Sequence, residues 1–268
     1  MPSPNAGSLD HSISPEHSIE CWISQDGAQL ADMAYRHLRD LLSIQSTKPA
    51  TIALSGGSTP KRLYERMTQN QADWQIWQNA NWFVSDERNV PVDHPDSNFG
   101  LADRTLFQPA SVTRSLLHPV PIQVQAPATT AAEYEATIES LVARNAKGRP
   151  SFDLIFLGLG DDAHTASLFP GTPALHESNR NVIENYIPKL SAHRITFTAA
   201  LINSAHQVVF LVSGGSKTTA LEQIWHGPRN IDLYPAQLIS GARRVIWMID
   251  RAALGNLTPP SHFKIVSL

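Results

Sequence analysis

The sequence predicts an α/β protein built on a doubly wound, mostly parallel sheet with helices on both faces. Three observations predict it. Seven short β-rich runs alternate along the 268 residues with stretches of helical spacing. Several of those runs are continuously apolar, as parallel strands covered on both faces are, where a half-wet strand would alternate. Glycine- and hydroxyl-rich bends follow the runs directly, and in such sheets ligands bind at the carboxyl ends of the strands. The pattern is Rossmann-like.

Taken in order, residues 1–17 are rich in Ser, Pro and His with few apolar anchors, and are expected to form a flexible extension before one domain over 18–268. SIECWIS (18–24) is the first strand. After the Asp26-Gly27 turn, Leu30, Met33, Ala34, Leu38, Leu41 and Leu42 recur at helical spacing. TIAL (51–54) leads into 55-SGGSTPKRLYERM-67, where Thr59 is placed as N-cap and Pro60 at a first helical position. ANWFVS (80–85) ends in 86-DERNVPVDHPDSNFG-100. The proline-containing stretch 118–130 reads as a surface connection, and Ala132, Tyr134, Ile138, Leu141 and Val142 form the stripe of a second long helix. FDLIFL (152–157), RITFT (194–198), QVVFLVS (207–213) and RVIWMI (244–249) complete the strands, and no solenoid period is present.

Composition narrows the function classes. A formal charge of −3 leaves no basic surplus for gripping a phosphate backbone, so no nucleic acid partner is expected. A single cysteine, Cys21, excludes an intramolecular disulfide and a thiolate metal cluster. The N-terminus lacks the charged-then-apolar pattern of a secretory signal and no apolar run approaches the span of a bilayer, so a cytoplasmic protein without membrane contact is expected.

The bend Ser55, Gly56, Gly57, Ser58, Thr59 meets the physical requirement for holding an anion. Its glycines allow close backbone approach, and the free N–H groups and positive end of the following helix point at one spot. Phosphate is the natural candidate, a plain strand-to-helix turn the alternative. The bend has an echo in 213-SGGSKTTAL-221, where Lys217 opens a helix. A cation gains nothing from the dipole there, so the lysine either marks an anion nearby or is simply solvated. Asp86, Glu87 and Arg88 either line a polar site, Arg88 offering a planar fork to a phosphate or carboxylate, or form an ordinary salt-bridged loop. Three strand ends carrying polar, ligand-like loops together favour one shared site.

The stretch 158-GLGDDAHTASLFP-170 sets a histidine directly after two aspartates. Gly158, Gly160 and Ala163 satisfy G-x-G-x-x-G/A, but Asp161 and Asp162 would repel a pyrophosphate and Pro170-Gly171 cuts the crossover helix short, so a dinucleotide is rejected. Near-adjacent residues seldom aim at one metal ion without further ligands, and the eleven histidines supply no HExxH-like spacing, so no metal is expected. General acid/base work remains, with Asp161 or Asp162 tuning and orienting His164, against the alternative of a cap or a core hydrogen bond. Its place at a strand's carboxyl end, on the same rim as the phosphate cradle, favours catalysis. G-x-S-x-G is absent, so a nucleophilic serine triad has no support.

SGGSTP (55–60), SDER followed by P, H and SN (85–98), GLGDDAHTASLFP, RITFT (194–198) and SGGSK (213–217) stand in an order and spacing that resemble the 6-phosphogluconolactonases of the glucosamine-6-phosphate isomerase/6-phosphogluconolactonase family, from about residue 18 to the C-terminus. HTASLFP is the most specific piece and separates them from the related glucosamine-6-phosphate deaminases. The resemblance implies a NagB/RpiA-like sheet and hydrolysis of 6-phospho-D-glucono-1,5-lactone without a cofactor, by a monomer or weak homo-oligomer. It implies His164 as general base with Asp162 beside it, and Ser55, Gly56, Gly57, Ser58, Thr59, Asp86, Arg88, Asn98, Gly160, Arg194 and Lys217 around a phosphosugar lactone. The alternatives are a deaminase/isomerase-type enzyme and a phosphosugar-binding module without turnover. One departure stands out: the family ordinarily has glycine where this chain has Ala163, which strains the loop by about 1 kcal/mol if the position needs positive φ.

Overall fold

Asp26 joins the first strand to the first helix by capping it: its carboxylate accepts from the amides of Ala28 and Gln29, both at 2.9 Å. In the computed structural model, which describes residues 17–44 and 48–267, β1 (Ser18–Ser24) is thus followed by α1 (Gly27–Ser43). β2 (Ala50–Leu54) leads into α2 (Ser58–Thr68), and β3 (Ala80–Val84) into β4 (Asp86–Arg88) and the short α3 (Asn98–Ala102). α4 (Pro127–Leu141) precedes β5 (Leu154–Leu157), and β6 (Val182–Ile187) and β7 (Ala192–Phe197) form a hairpin. α5 (Ala199–Ile202), β8 (Gln207–Val212), α6 (Thr218–His226), β9 (Arg244–Asp250), α7 (Arg251–Leu254) and β10 (Lys264–Ser267) complete the order. The extension expected over 1–17 lies, except for His17, outside the described residues; His17 Nδ1 is 2.8 Å from the Ala242 carbonyl oxygen.

Seven strands form one wholly parallel sheet in the order β10-β1-β9-β8-β5-β2-β3. From β2 the chain moves outward to β3, whereas from β5 it moves the other way to β8. The loops after neighbours β2 and β5 therefore part, and this switch point leaves a crevice at the carboxyl edge.

Both faces of the sheet are covered, as successive side chains show. Trp82 of β3 lies against Phe107 and bonds through its indole N–H to the carbonyl of Trp77, which in turn packs edge-on to Tyr35 of α1. Phe83, pointing the opposite way, meets Tyr134 of α4 and Phe152. At the far side Trp22 meets His37 of α1, while Trp247 stacks on Phe210 at 3.9 Å and takes Trp225 of α6 on its edge. Two layers of helix thus bury the continuously apolar strands that the sequence shows.

Four expectations need correction. RITFT is not a strand of the main sheet. β7 pairs antiparallel with β4 and β6 in a separate three-stranded sheet, because the connection after β6 is too short for the crossover that parallel strands demand. α4 buries Ala131, Tyr134, Ile138 and, just past its end, Val142; Ala132 and Leu141 point outward, off that 3-4-4 stripe. α2 begins two residues earlier than placed: its N-cap is Gly57, at φ +105°, and Thr59 sits inside the first turn. The stretch from His118 runs over the surface as expected as far as residue 126, held to β3 by the His118 amide donating to Trp82 O at 2.9 Å, but its last residues already belong to α4.

Candidate active site

Four consecutive polar loops converge on the switch point. The bend after β2 contributes Ser55 and two glycines. Tyr64 of α2 reaches back to donate to the Ser55 carbonyl at 2.5 Å and fixes the bend from inside. A Cβ on Gly56 would fall 1.8 Å from Asn98 Oδ1, so only glycine lets the start of α3 close over the bend. Asn98 is held in turn by its side-chain amide, which donates to the Asp86 carbonyl at 2.9 Å and to Asp86 Oδ1 at 3.3 Å.

Glu87, buried beside it, serves the framework. Its two oxygens accept from the amides of Arg88, Asn98 and Phe99 and from Ser97 Oγ, at 2.7–2.9 Å, anchoring α3. Burial pushes its pKa up, and these four donors work against that. Asp86 Oδ2 accepts from Ser167 Oγ at 2.6 Å, tying the start of β4 to the histidine loop.

The histidine loop is a tight turn. Ala163 N donates to Gly160 O at 3.0 Å and Gly160 N to His164 O at 2.8 Å, and Ala163 adopts φ +61°. The position that carries alanine in place of the family's glycine is therefore left-handed. Asp162 Oδ1 lies 2.5 Å from His164 Nδ1 and 3.3 Å from His164 N, while Asp161 turns away to Lys217 at 2.5 Å and Ser216 at 3.1 Å. The imidazole stacks on Phe169 at 4.0 Å, 18° from parallel. A Cβ on Gly160 would lie 2.0 Å from Nδ1, so glycine there gives the ring its seat. His164 Nε2 has no hydrogen-bond partner among the described residues.

Charge is distributed unevenly. Burial alone would raise the Asp162 carboxyl, but hydrogen bonds from His164 and Lys189 outweigh it and hold the group well below the usual carboxylate range. The Lys217 ammonium likewise lowers Asp161. Arg88 and Arg194 stand directly opposite each other across β4 and β7. Arg88 reaches only the Asp96 backbone carbonyl, at 3.3 Å, and Arg194 has no hydrogen-bond or ion-pair partner among the described residues. Burial and the Arg88 charge both lower the Arg194 pKa.

These loops enclose a cavity of about 390 Å³ lined by Ser55, Gly56, Gly57, Asp86, Arg88, Asn98, Gly160, His164, Arg194 and Lys217, together with Lys189, Phe169 and Ser167. That volume fits a phosphorylated hexose. The family of glucosamine-6-phosphate isomerases/6-phosphogluconolactonase matches residues 25–247. The chain belongs to this family. It is 43% identical over 209 residues to a 6-phosphogluconolactonase of Synechocystis sp., covering 78% of this chain and 85% of that relative. Among solved structures, the 6-phosphogluconolactonase of Trypanosoma cruzi aligns with a TM-score of 0.78 at 26% identity over 91% of this chain and 98% of that one. A monomeric glucosamine-6-phosphate deaminase, at 21% identity and a TM-score of 0.72 over 87% of this chain and 98% of that one, shares the fold alone.

Of the residues that the family resemblance singles out, Ser58 and Thr59 do not line the cavity: the helix starts early enough to carry both into its first turn, away from the crevice. Asp162 stands behind His164 rather than in the wall. Lys189, Phe169 and Ser167 are wall residues without a sequence signal. Phe169 and Ser167 lie in the histidine stretch, but a phenylalanine and a serine there are equally ordinary packing residues. Lys189 lies on the β6–β7 turn, which carries no motif. Among the described residues no group of three or more His, Cys, Asp or Glu could hold a metal ion, and no helix is long and apolar enough to cross a membrane.

Proposed function

We propose that this chain hydrolyses 6-phospho-D-glucono-1,5-lactone to 6-phospho-D-gluconate, the lactone-opening step of the oxidative pentose phosphate pathway. One observation carries the reading: an imidazole whose Nδ1 is held by a carboxylate at 2.5 Å lines the same cavity of about 390 Å³ as two facing arginines that form no ion pair among the described residues. The paired arginines, with the Ser55–Gly57 amides, supply what a phosphate monoester needs. Asp162 keeps the proton on Nδ1, so Nε2 carries the lone pair that takes a proton from water. Hydroxide adds to the lactone carbonyl, and the ring C–O bond breaks as the imidazolium returns its proton to the departing ring oxygen. The Gly160 amide is committed to His164 O and is not free to hold the oxyanion.

Residues 18–268 act in this reading as one cytosolic lactonase domain, a monomer or weak homo-oligomer, without nucleic acid. The test is lactone hydrolysis at slightly acidic pH, where spontaneous opening is slow. His164→Ala is expected to lose about two to four orders of magnitude while still binding 6-phosphogluconate. Equal rates for wild type and variant above background would remove the assignment, and ammonia release from glucosamine 6-phosphate would favour the deaminase.

A further inference from the structure

The turn between β6 and β7 brings a lysine from the second sheet onto the catalytic loop. Pro188 and the left-handed Ser191, at φ +48°, shape this turn, and Ser191 N closes it on Pro188 O at 3.1 Å. Lys189 Nζ donates to Asp162 Oδ2, the oxygen that His164 does not use. Its ammonium also lies 4.7 Å from the centre of the Phe169 ring, on which His164 stacks. One lysine thus touches both supports of the imidazole.

We infer that Lys189 is a positioning residue, which fixes Asp162 as acceptor for His164 Nδ1–H. With Oδ2 held by the ammonium, rotation of the carboxylate away from the ring breaks that ion pair. Other groups act on the ring less directly. Lys217 is paired with Asp161, and Asp86, Arg88 and Arg194 face it across the cavity from the sheet wall. Lys189 alone pairs with the histidine's own carboxylate among the described residues. More than half of its side chain is exposed, 53%, so its replacement leaves the core intact.

The kinetic arm rests on the lactonase reading and the spectroscopic arm does not. Long-range ¹H–¹⁵N NMR of His164 in the full chain reports its tautomer without any substrate. In Lys189→Met the single Nδ1–H tautomer is expected to give way to a mixture, while Lys189→Arg retains it. In the lactone assay kcat is expected to fall about tenfold or more in Lys189→Met with KM little changed, and to be restored in Lys189→Arg. A tautomer unchanged in Lys189→Met would overturn the inference. So would a rise in KM alone with kcat unchanged, since that marks a ligand contact. Wild type that opens no lactone would overturn the functional reading, and the NMR comparison would still decide the role of Lys189.

Discussion

Arg194→Gln is expected to make the ligand-free protein more stable and the enzyme worse. Arg194 and Arg88 occupy directly opposed positions on antiparallel strands, part of each side chain is out of water, and burial with the Arg88 charge outweighs the nearby carboxylates of Asp86, Glu87 and Asp96 in lowering the Arg194 pKa. Like charges so placed cost roughly 0.2–1 kcal/mol. Removing one charge is therefore expected to raise stability by about 0.5 kcal/mol, a melting temperature about 1–2 °C higher for a chain of this size. A hydrogen bond to a charged group contributes about 1.5–3 kcal/mol, so losing a guanidinium–phosphate contact is expected to raise KM by roughly 10- to 150-fold. The assay pairs thermal melts with and without 6-phosphogluconate. Saturating ligand at about 100 times Kd stabilises wild type by about 2.7 kcal/mol, and the variant gains far less at the same concentration. If Arg194→Gln melts lower than wild type by 1 kcal/mol or more and keeps its ligand response, the arginine is structural and the phosphate lies elsewhere.

Asp162→Asn is expected to lower kcat by about 10²–10⁴-fold, because an amide no longer fixes the proton on Nδ1. It also flattens the acid limb of stability: the folded Asp162 pKa is depressed, so its contribution is present above the ordinary carboxylate range and drains away as pH falls through that range toward the folded value. Wild type and variant should differ by about 1–2 kcal/mol near pH 7, discounted for a side chain 32% exposed, and the gap should narrow as pH falls below the ordinary carboxylate range; an equal gap in urea midpoints at neutral and at acid pH would refute this. Ala163→Gly removes about 1 kcal/mol of left-handed strain and forfeits about 0.8 kcal/mol of buried methyl, so its melt is expected within about 1 kcal/mol of wild type with activity kept. Ala163→Val, with a branched Cβ in the same buried position, is expected to cost at least 1–3 kcal/mol, and a Val variant as stable as wild type would contradict the strain argument.

What could be read in the sequence was what lies on loops of the parallel sheet. Continuously apolar runs announce that sheet, and the rule that ligands sit at its carboxyl edge then marks Ser55, Arg88, His164 and Lys217 together. Lys189 obeys no such rule. It belongs to a hairpin of a separate antiparallel sheet, and only the fold, not a local pattern, carries it across to Asp162. The two serine-glycine bends look alike as strings yet continue into different backbone: Gly57 opens an eleven-residue helix directly, whereas Gly214 leads through a short 3-10 turn that puts Lys217 at the cavity.

The choice between the two aspartates shows why spacing alone was insufficient. In extended chain, residues two apart point the same way but stand roughly 6–7 Å from each other, too far for one carboxylate to hold both the amide and the ring of the second. A left-handed residue between them folds the chain back, and the carboxylate of the first then reaches the amide of the second, as Asp162 Oδ1 reaches His164 N. Ala163 is that residue, at φ +61°. Asp161, two residues before the left-handed position, faces Lys217 instead. The conformation that makes alanine costly at this position is therefore the one that selects Asp162 as the histidine's partner, and strain and function at this turn have a single cause.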